Sequence, residues 1–483
     1  MTYSKQRLKE ITALKKAAVR QILKDIRNLH SASSRKYIDE YTSEFKTYEA
    51  VCGPEAIFEA ACKSDLIWIG DYHALHRSQE YAAAFIRKLA SQKSKLAIAV
   101  EPVFARHQKI LDRWAAGKIS EPEFLNRIRY NEEWGCDWEG YQRLFNTAHE
   151  LGIPIYGVDC HPRHDMRSIG RRDQSVARRI IRVIEKNPDT TLLVVFGESH
   201  LASNHLPRRV QSILNRKGMV RRDLVVLQNL DTIYWHLQEQ GVEGDAAVRL
   251  SENQFCVFNA TPIEKYESFR QYLHRCTGED SSDEWMHLTH TLVQVMMKFL
   301  DLKKDQTVIN HLPVLDVQSV TEAVEDFTRF LHQVCRGELH GRHDRNAGDE
   351  FFVAVLESAL GYFCSKLLDS SRDGIEALTV QVLSQIDYSE QFARAVATLV
   401  DPSKRPSAQH FQIIRSAVAE KAVRSRHMST LGQLLGYALG RRLYQGFLRR
   451  RISRKEIQAL FQDPLDKPHR PLECYVELCS RGL

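Results

Sequence analysis

Long hydrophobic runs are what this chain lacks most clearly. Stretches such as Leu96 to Val100 and Leu192 to Phe196 end after five residues, against the roughly 20 that cross a bilayer, which argues against an integral membrane protein. The first thirty residues hold neither an apolar core of the signal-peptide kind nor a small-residue cleavage site, so a cytoplasmic location is expected. No C-x-x-C pair occurs among the 10 cysteines. That spacing points away from zinc ribbons and disulfide frameworks, toward reduced, mostly buried thiols. Missing too are G-x-S-x-G, G-x-x-x-x-G-K-S/T, a G-x-G-x-x-G after a strand, and H-E-x-x-H. Serine-hydrolase, nucleoside-triphosphatase, dinucleotide and zincin readings therefore lack their motifs.

What is present is ordinary globular composition: 43% hydrophobic and 27% charged residues, with 14 Pro and 23 Gly over 483 positions. At roughly 150 residues per domain that length accommodates two or three domains. Basic residues exceed acidic ones by 68 to 61, a net charge of +7. Eight of the basic residues lie in the first thirty positions, opposed there only by Glu10 and Asp25. The remainder is close to neutral, and specific nucleic-acid binding is not expected.

Leu8, Ile11, Ala18, Ile22, Ile26 and Leu29 recur at helical spacing among those charges, which predicts a basic amphipathic helical segment over 1–44. Its charges either face water on a docked helix, or residues 1–30 contact a membrane surface or a protein partner. From about residue 60 short apolar runs (66–69, 96–100, 153–158, 192–196, 224–227 and 255–258) alternate with longer helical patterns. Ser120-Glu121-Pro122-Glu123 reads as a capping box opening a helix at Phe124. Such alternation predicts an α/β domain over 45–275, with a mostly parallel sheet flanked by helices. Residues 276–483 lose the strand signals and read as an all-α domain. There Gly432, Gly436 and Gly440 form a smooth stripe suited to close helix packing.

Ligands of open parallel sheets bind beyond the carboxyl ends of the strands, and those ends are polar here. The first strand is followed by Gly70-Asp71-Tyr72-His73, the second ends in Glu101-Pro102, the third gives Asp159-Cys160-His161, and the fourth gives Gly197-Glu198-Ser199-His200. The Gly-x-x-His spacing thus occurs twice: glycine turns the chain sharply, and the histidine three residues on points back over the sheet edge. Candidate metal ligands are His73, Glu101, His200, Asp159 and His161, for zinc, manganese or iron. Glu101 and Asp71 are the candidate acid/base groups. Tyr72, as an iron phenolate, and Glu198 join His73 and His200 as candidate cofactor contacts. A carboxylate after a strand also caps helices, which is the structural alternative for Asp159. His164, His340 and His343 read as loop residues.

Gly70-Asp71-Tyr72-His73 with Gln79, Glu101-Pro102, Trp138 and Tyr141, Ile153 through Asp159, and Gly197-Glu198-Ser199-His200 together resemble the ChaN-like haem-binding uptake domain of the Tiki superfamily. That superfamily also takes in TraB-like proteins and erythromycin esterase-like enzymes. The resemblance covers about residues 50–275 and implies an α/β core whose two Gly-x-x-His motifs and glutamate form the pocket, carried here by His73, Glu101 and His200. Asp71 stands where ChaN-like sequences usually have Glu. Three readings follow. The protein binds haem or a divalent metal ion at the strand ends; it is a metal-dependent hydrolase of an ester or amide with Glu101 as base; or it is a non-catalytic scaffold.

Overall fold

The computed structural model describes residues 3–29, 35–161, 169–242, 246–277, 285–301, 347–368, 389–405, 407–419 and 425–462, with the single positions 375, 379 and 477. Two compact units emerge, one comprising Leu23–Leu237 with Asp245–Glu279 and the other Met1–Ile22, Gln238–Gly244 and Asp280–Leu483. In chain order the elements are α1 (Lys5–Leu29), α2 (Arg35–Glu44), β1 (Ala50–Cys52), α3 (Pro54–Lys63), β2 (Leu66–Asp71), α4 (His76–Ala90), β3 (Leu96–Phe104), α5 (Gln108–Ala115), α6 (Glu121–Arg127), α7 (Tyr130–Glu133), α8 (Trp138–Glu150), β4 (Ile155–Asp159), α9 (Ile169–Lys186), β5 (Thr191–Gly197), α10 (Leu206–Arg216), β6 (Asp223–Gln228), α11 (Asp231–Gln240), β7 (Ala247–Ser251), β8 (Gln254–Val257) and α12 (Pro262–Thr277). Among the described residues helices alone follow.

Eight described strands form one sheet in the order β1-β7-β8-β6-β2-β5-β3-β4. From β8 to β4 every pairing is parallel, and β7 alone is reversed, pairing antiparallel with β8 and with the edge strand β1. The expected α/β architecture with a helical C-terminal region is what the chain adopts. β2, β3 and β5 are buried along their whole length. Helices cover both faces, so these strands read as continuous apolar runs rather than alternating ones. Ile67, Ile69, Ile98, Val100, Leu193 and Val195 share a core with α4 and α8, while α9 packs beside α10. β1 and β7 escape the sequence reading because they are short and partly exposed, with polar Arg249 and Ser251 in β7.

Local signals fix several boundaries. Ser120 caps α6, its Oγ accepting from the Glu123 amide at 3.4 Å, so the helix begins at Glu121 rather than Phe124. β3 runs past Glu101 to Phe104, and its pairing with β4 jumps between Val100 and Phe104. Pro102, which has no N–H for the ladder, falls in that irregularity, where proline is tolerated. α10 begins at Leu206, after Glu198–Leu201 has formed a single tight turn.

In the helical unit, the apolar face of α1 is buried at Leu8, Ile11, Leu14, Ala18 and Ile22. Not every charge on α1 faces water: Lys15 is buried and donates to Gln238 Oε1 at 3.0 Å. Helix Ser425–Leu448 lies against helix Ala347–Leu368. A Cβ at Gly436 would overlap Ser358, and one at Gly440 the Ala359 carbonyl, which is the close approach the glycine stripe predicts. Arg442 is buried and donates to the carbonyls of Leu399, Lys404 and Asp401 at the C-terminal end of helix Glu390–Val400. A cation there satisfies orphan carbonyls and suits the helix dipole. No helix among the described residues is long and apolar enough to cross a membrane. The described cysteines form no disulfide, with Cys136, Cys256 and Cys364 buried, Cys276 exposed and the others half-buried.

Candidate functional site

The first Gly-x-x-His turn is built around Asp71, the last residue of β2. Its buried carboxylate accepts from Gln79 Nε2 at 2.5 Å, from the Tyr141 hydroxyl at 2.5 Å and from His73 Nδ1 at 2.8 Å. α4 and α8 supply the first two donors, so both helices behind the sheet fix the turn. In the neutral imidazole, an Nδ1 proton directed to Asp71 leaves the lone pair on His73 Nε2. That atom lies 3.6 Å from Glu101 Oε2. Burial works against a charged imidazole, but Glu101 and Asp71 outweigh it and raise the His73 pKa above its usual value. The His73 ring is 31% exposed and meets Trp134 edge-on at 4.5 Å. A Cβ at position 197 would come within 3.0 Å of His73 Nε2. Glycine there lets β5 approach the imidazole.

Glu101 and Asp159 are joined by a residue the strand ends did not announce. Arg172, on α9, is buried and donates to both Asp159 oxygens at 2.8 and 2.9 Å, and to Glu101 Oε1. Glu101 Oε2 accepts from the Gly197 amide at 2.5 Å. Burial disfavours the guanidinium charge, yet the two carboxylates more than compensate and push its pKa up. Glu101 and Asp159 are thus spanned by a cation that the protein itself supplies.

The second Gly-x-x-His turn ends differently. His200 is only 4% exposed and is absent from the cavity lining. Its Nδ1 lies 2.6 Å from Asp173 Oδ1, and its Nε2 lies 3.4 Å from Arg172 NH1. Tyr37 of α2 donates to the other Asp173 oxygen at 2.6 Å and stacks on His205 at 3.7 Å. His205 in turn reaches Glu40 at 3.1 Å and the Ser199 carbonyl at 2.8 Å. Burial and the Asp173 charge push the Tyr37 phenol well above its usual range.

A third polar cluster closes the site. Lys265 of α12 lies 2.9 Å from Glu198 Oε1 and 3.8 Å from Asp231 Oδ1, and 4.8 Å over the Tyr72 ring. Burial opposes the Lys265 charge, but Glu198 and Asp231 hold its pKa up. The Tyr72 phenol is driven up by burial and by the same two carboxylates, which works against the phenolate that iron ligation through Tyr72 requires.

These groups surround one cavity of about 530 Å³. Asp71, Tyr72, His73, Glu101, Arg172, Gly197, Glu198 and Lys265 line its polar side, and Leu23, Ile26, Ile38, Phe45, Trp134 and Phe269 its apolar side. Asp159 lies behind Arg172 and, like His200, outside that lining. His161 is 52% exposed, packs on Phe104 at 4.3 Å and reaches Glu133 at 3.2 Å. His164, His340 and His343 lie outside the described residues. Among the described residues no group of three or more His, Cys, Asp or Glu is disposed to hold a metal ion.

Sequence reasoning missed Arg172, Asp173, Tyr37 and Lys265. One signal for the first was present: Arg172 falls in helical register with Ile169, Val176, Ile180 and Ile184, all buried. A charge on the apolar stripe of a helix needs a buried partner.

Residues 57–173 match the model of a family described as haem-binding uptake, Tiki superfamily, ChaN. The resemblance drawn from the motifs therefore stands over that segment, which includes His73, Glu101, Asp159 and Arg172 but ends before His200. The chain matches none of the curated proteins. Among solved structures it is similar to ChaN of Campylobacter jejuni, described with cofacial haem binding, at 15% identity over 43% of this chain and 91% of that one, with a TM-score of 0.30. It is also similar to the type III effector HopBA1, at 15% identity over 45% of this chain and 98% of that one, again with a TM-score of 0.30.

Proposed function

We propose, starting from the ChaN-family match of residues 57–173, that the protein binds haem in the cavity at the carboxyl ends of β2, β3 and β5. The observation that carries this reading is His73: its ring is held by Asp71, is 31% exposed and lines a cavity of about 530 Å³. A histidine whose other nitrogen donates to a carboxylate is the usual form of an imidazole ligand. The apolar wall that includes Trp134 and Phe269 suits a flat macrocycle, and the volume falls within the range of small-molecule sites. When bound, haem would supply an iron that the His73 imidazole could hold. Asp71, Gln79 and Tyr141 orient that imidazole, and Arg172 neutralises Glu101 and Asp159 beneath it. A divalent ion held by Glu101, Asp159 and the histidines is less well supported, since Arg172 already engages both carboxylates. Titration of the purified protein with haemin should give a shifted Soret band that His73→Ala abolishes or displaces. An unshifted spectrum for the wild type would refute the proposal.

The Asp71–His73 pair also favours a second reading, hydrolysis of an ester or amide, with Nε2 taking a proton from water. Here His73 is the base and Asp71 orients it, while Arg172 keeps Glu101 engaged. Screening an ester and peptide panel with wild type, His73→Ala and Glu101→Gln tests it. Turnover unaffected by either substitution sinks this alternative.

A further inference from the structure

The two helices on the outer side of the sheet next to β5 carry a strongly uneven charge. Arg178, Arg182 and Lys186 recur at helical spacing on α9, and Arg216 lies on α10 packed beside it. All four are exposed, and no ion pair neutralises them among the described residues. The exposed acid on this pair of helices, Glu185, is matched by Lys217 at 2.6 Å. Some exposed charges elsewhere do pair, as in Arg87 with Glu150 and Lys88 with Glu55. A stripe of like charges repels itself and is stabilised when it meets an opposite surface.

The stripe ends in a turn with a second unusual feature. Val220, between α10 and β6, is 91% exposed. Basic residues flank it, Lys217 and Arg216 before, Arg221 and Arg222 after, of which Lys217 pairs with Glu185 and Arg222 with Asp65. Arg221 donates to the Pro188 carbonyl in the turn that follows α9, so the ends of both helices meet here. An apolar tip set among cations is how a protein surface engages lipid, the side chain entering the interface while the charges meet headgroup phosphates. Nucleic acid fits less well, because α9 and α10 contain no aromatic residue on which bases could stack.

From these two observations we infer that the α9–α10 face, with Val220 at its tip, is a docking surface for an anionic lipid membrane. The turn lies at the amino-terminal edge of the parallel strands, opposite the cavity, so a docked molecule keeps its ligand site away from the bilayer. This surface does not depend on what the cavity holds.

Co-sedimentation of the full chain with vesicles of equal parts phosphatidylcholine and phosphatidylglycerol tests the inference, with phosphatidylcholine vesicles and a DNA duplex alongside. Wild type should sediment with the anionic vesicles at low salt, weaken as salt rises, and ignore phosphatidylcholine. Arg178→Glu with Arg182→Glu should lower vesicle binding by about tenfold or more. Val220→Asp should weaken vesicle binding while leaving DNA retention unchanged. Equal partitioning of wild type and the double variant overturns the proposal. So does DNA retention as tight as vesicle binding with Val220→Asp altering neither.

Discussion

The turns at 70–73 and 197–200 share the spacing Gly-x-x-His and follow neighbouring parallel strands, yet their histidines end in different places. His73 is 31% exposed and faces the cavity, whereas His200 is buried against Asp173 and Arg172. The difference comes from what arrives from elsewhere. Beside His73 the aspartate belongs to the same turn and meets Nδ1, and the ring stays part of the cavity wall. Beside His200 the aspartate comes from α9 and the phenol from α2, closing over the ring. A repeated motif guarantees a repeated turn, while the surrounding layers decide whether the histidine serves a ligand or the scaffold.

Arg172 is where the two turns are coupled, and its loss should have the largest effect. Arg172→Met strands Glu101 and Asp159 in the interior, and breaking such a pair typically costs about 3–5 kcal/mol. Urea unfolding should show the lowered midpoint; an unchanged midpoint would mean the carboxylates find other partners and that the two turns are independent. Next comes the contrast itself. His73→Ala should weaken haemin binding by at least the roughly 10–100-fold that losing even an outer partner costs a metal site. His200→Ala should leave the Soret position intact. Loss of the Soret signature in the second variant alone would reverse the assignment.

The same His200→Ala variant should lose about 1–3 kcal/mol of stability, because Asp173 Oδ1 is left buried without its imidazole. Thermal melts of the two alanine variants measured together would place His200→Ala below His73→Ala. The smallest effect concerns pH. Because folding raises the His73 pKa, its protonated form stabilises the fold below about pH 6.5. That contribution is lost as pH rises through the higher folded value. Haemin binding through neutral Nε2 runs the other way and strengthens across that window. Asp71→Asn removes one cause of the raised pKa, so the haemin-affinity profile should move to lower pH; an unmoved profile would leave Glu101 as the dominant cause.

Much of the site was readable as residue types at strand ends. Asp71, His73 and Glu101 do converge on the cavity, and Gln79 and Tyr141, present in the family motif, prove to be the donors that hold Asp71. His161 and Asp159 show the limit of that reasoning. Both follow β4, but one faces solvent beside Glu133 and the other is spanned by Arg172. Net charge misleads in the same way: a chain nearly neutral beyond its first helix still sorts its arginines onto one face of α9 and α10.

Periodicity along the chain determined by itself the helices, the buried parallel strands and the polar turns at their ends, because each depends on contacts with near neighbours or on burial that repeats every two or 3.6 residues. Tertiary structure alone decided which histidine meets the cavity, that Arg172 spans Glu101 and Asp159, that Tyr37 seals His200, and which arginines remain unpaired. Those outcomes follow from charges brought together over long stretches of sequence, such as the separation of 71 positions from Glu101 to Arg172. In a buried setting a charge is tolerated only where an opposite one arrives, and no local spacing records where that partner comes from.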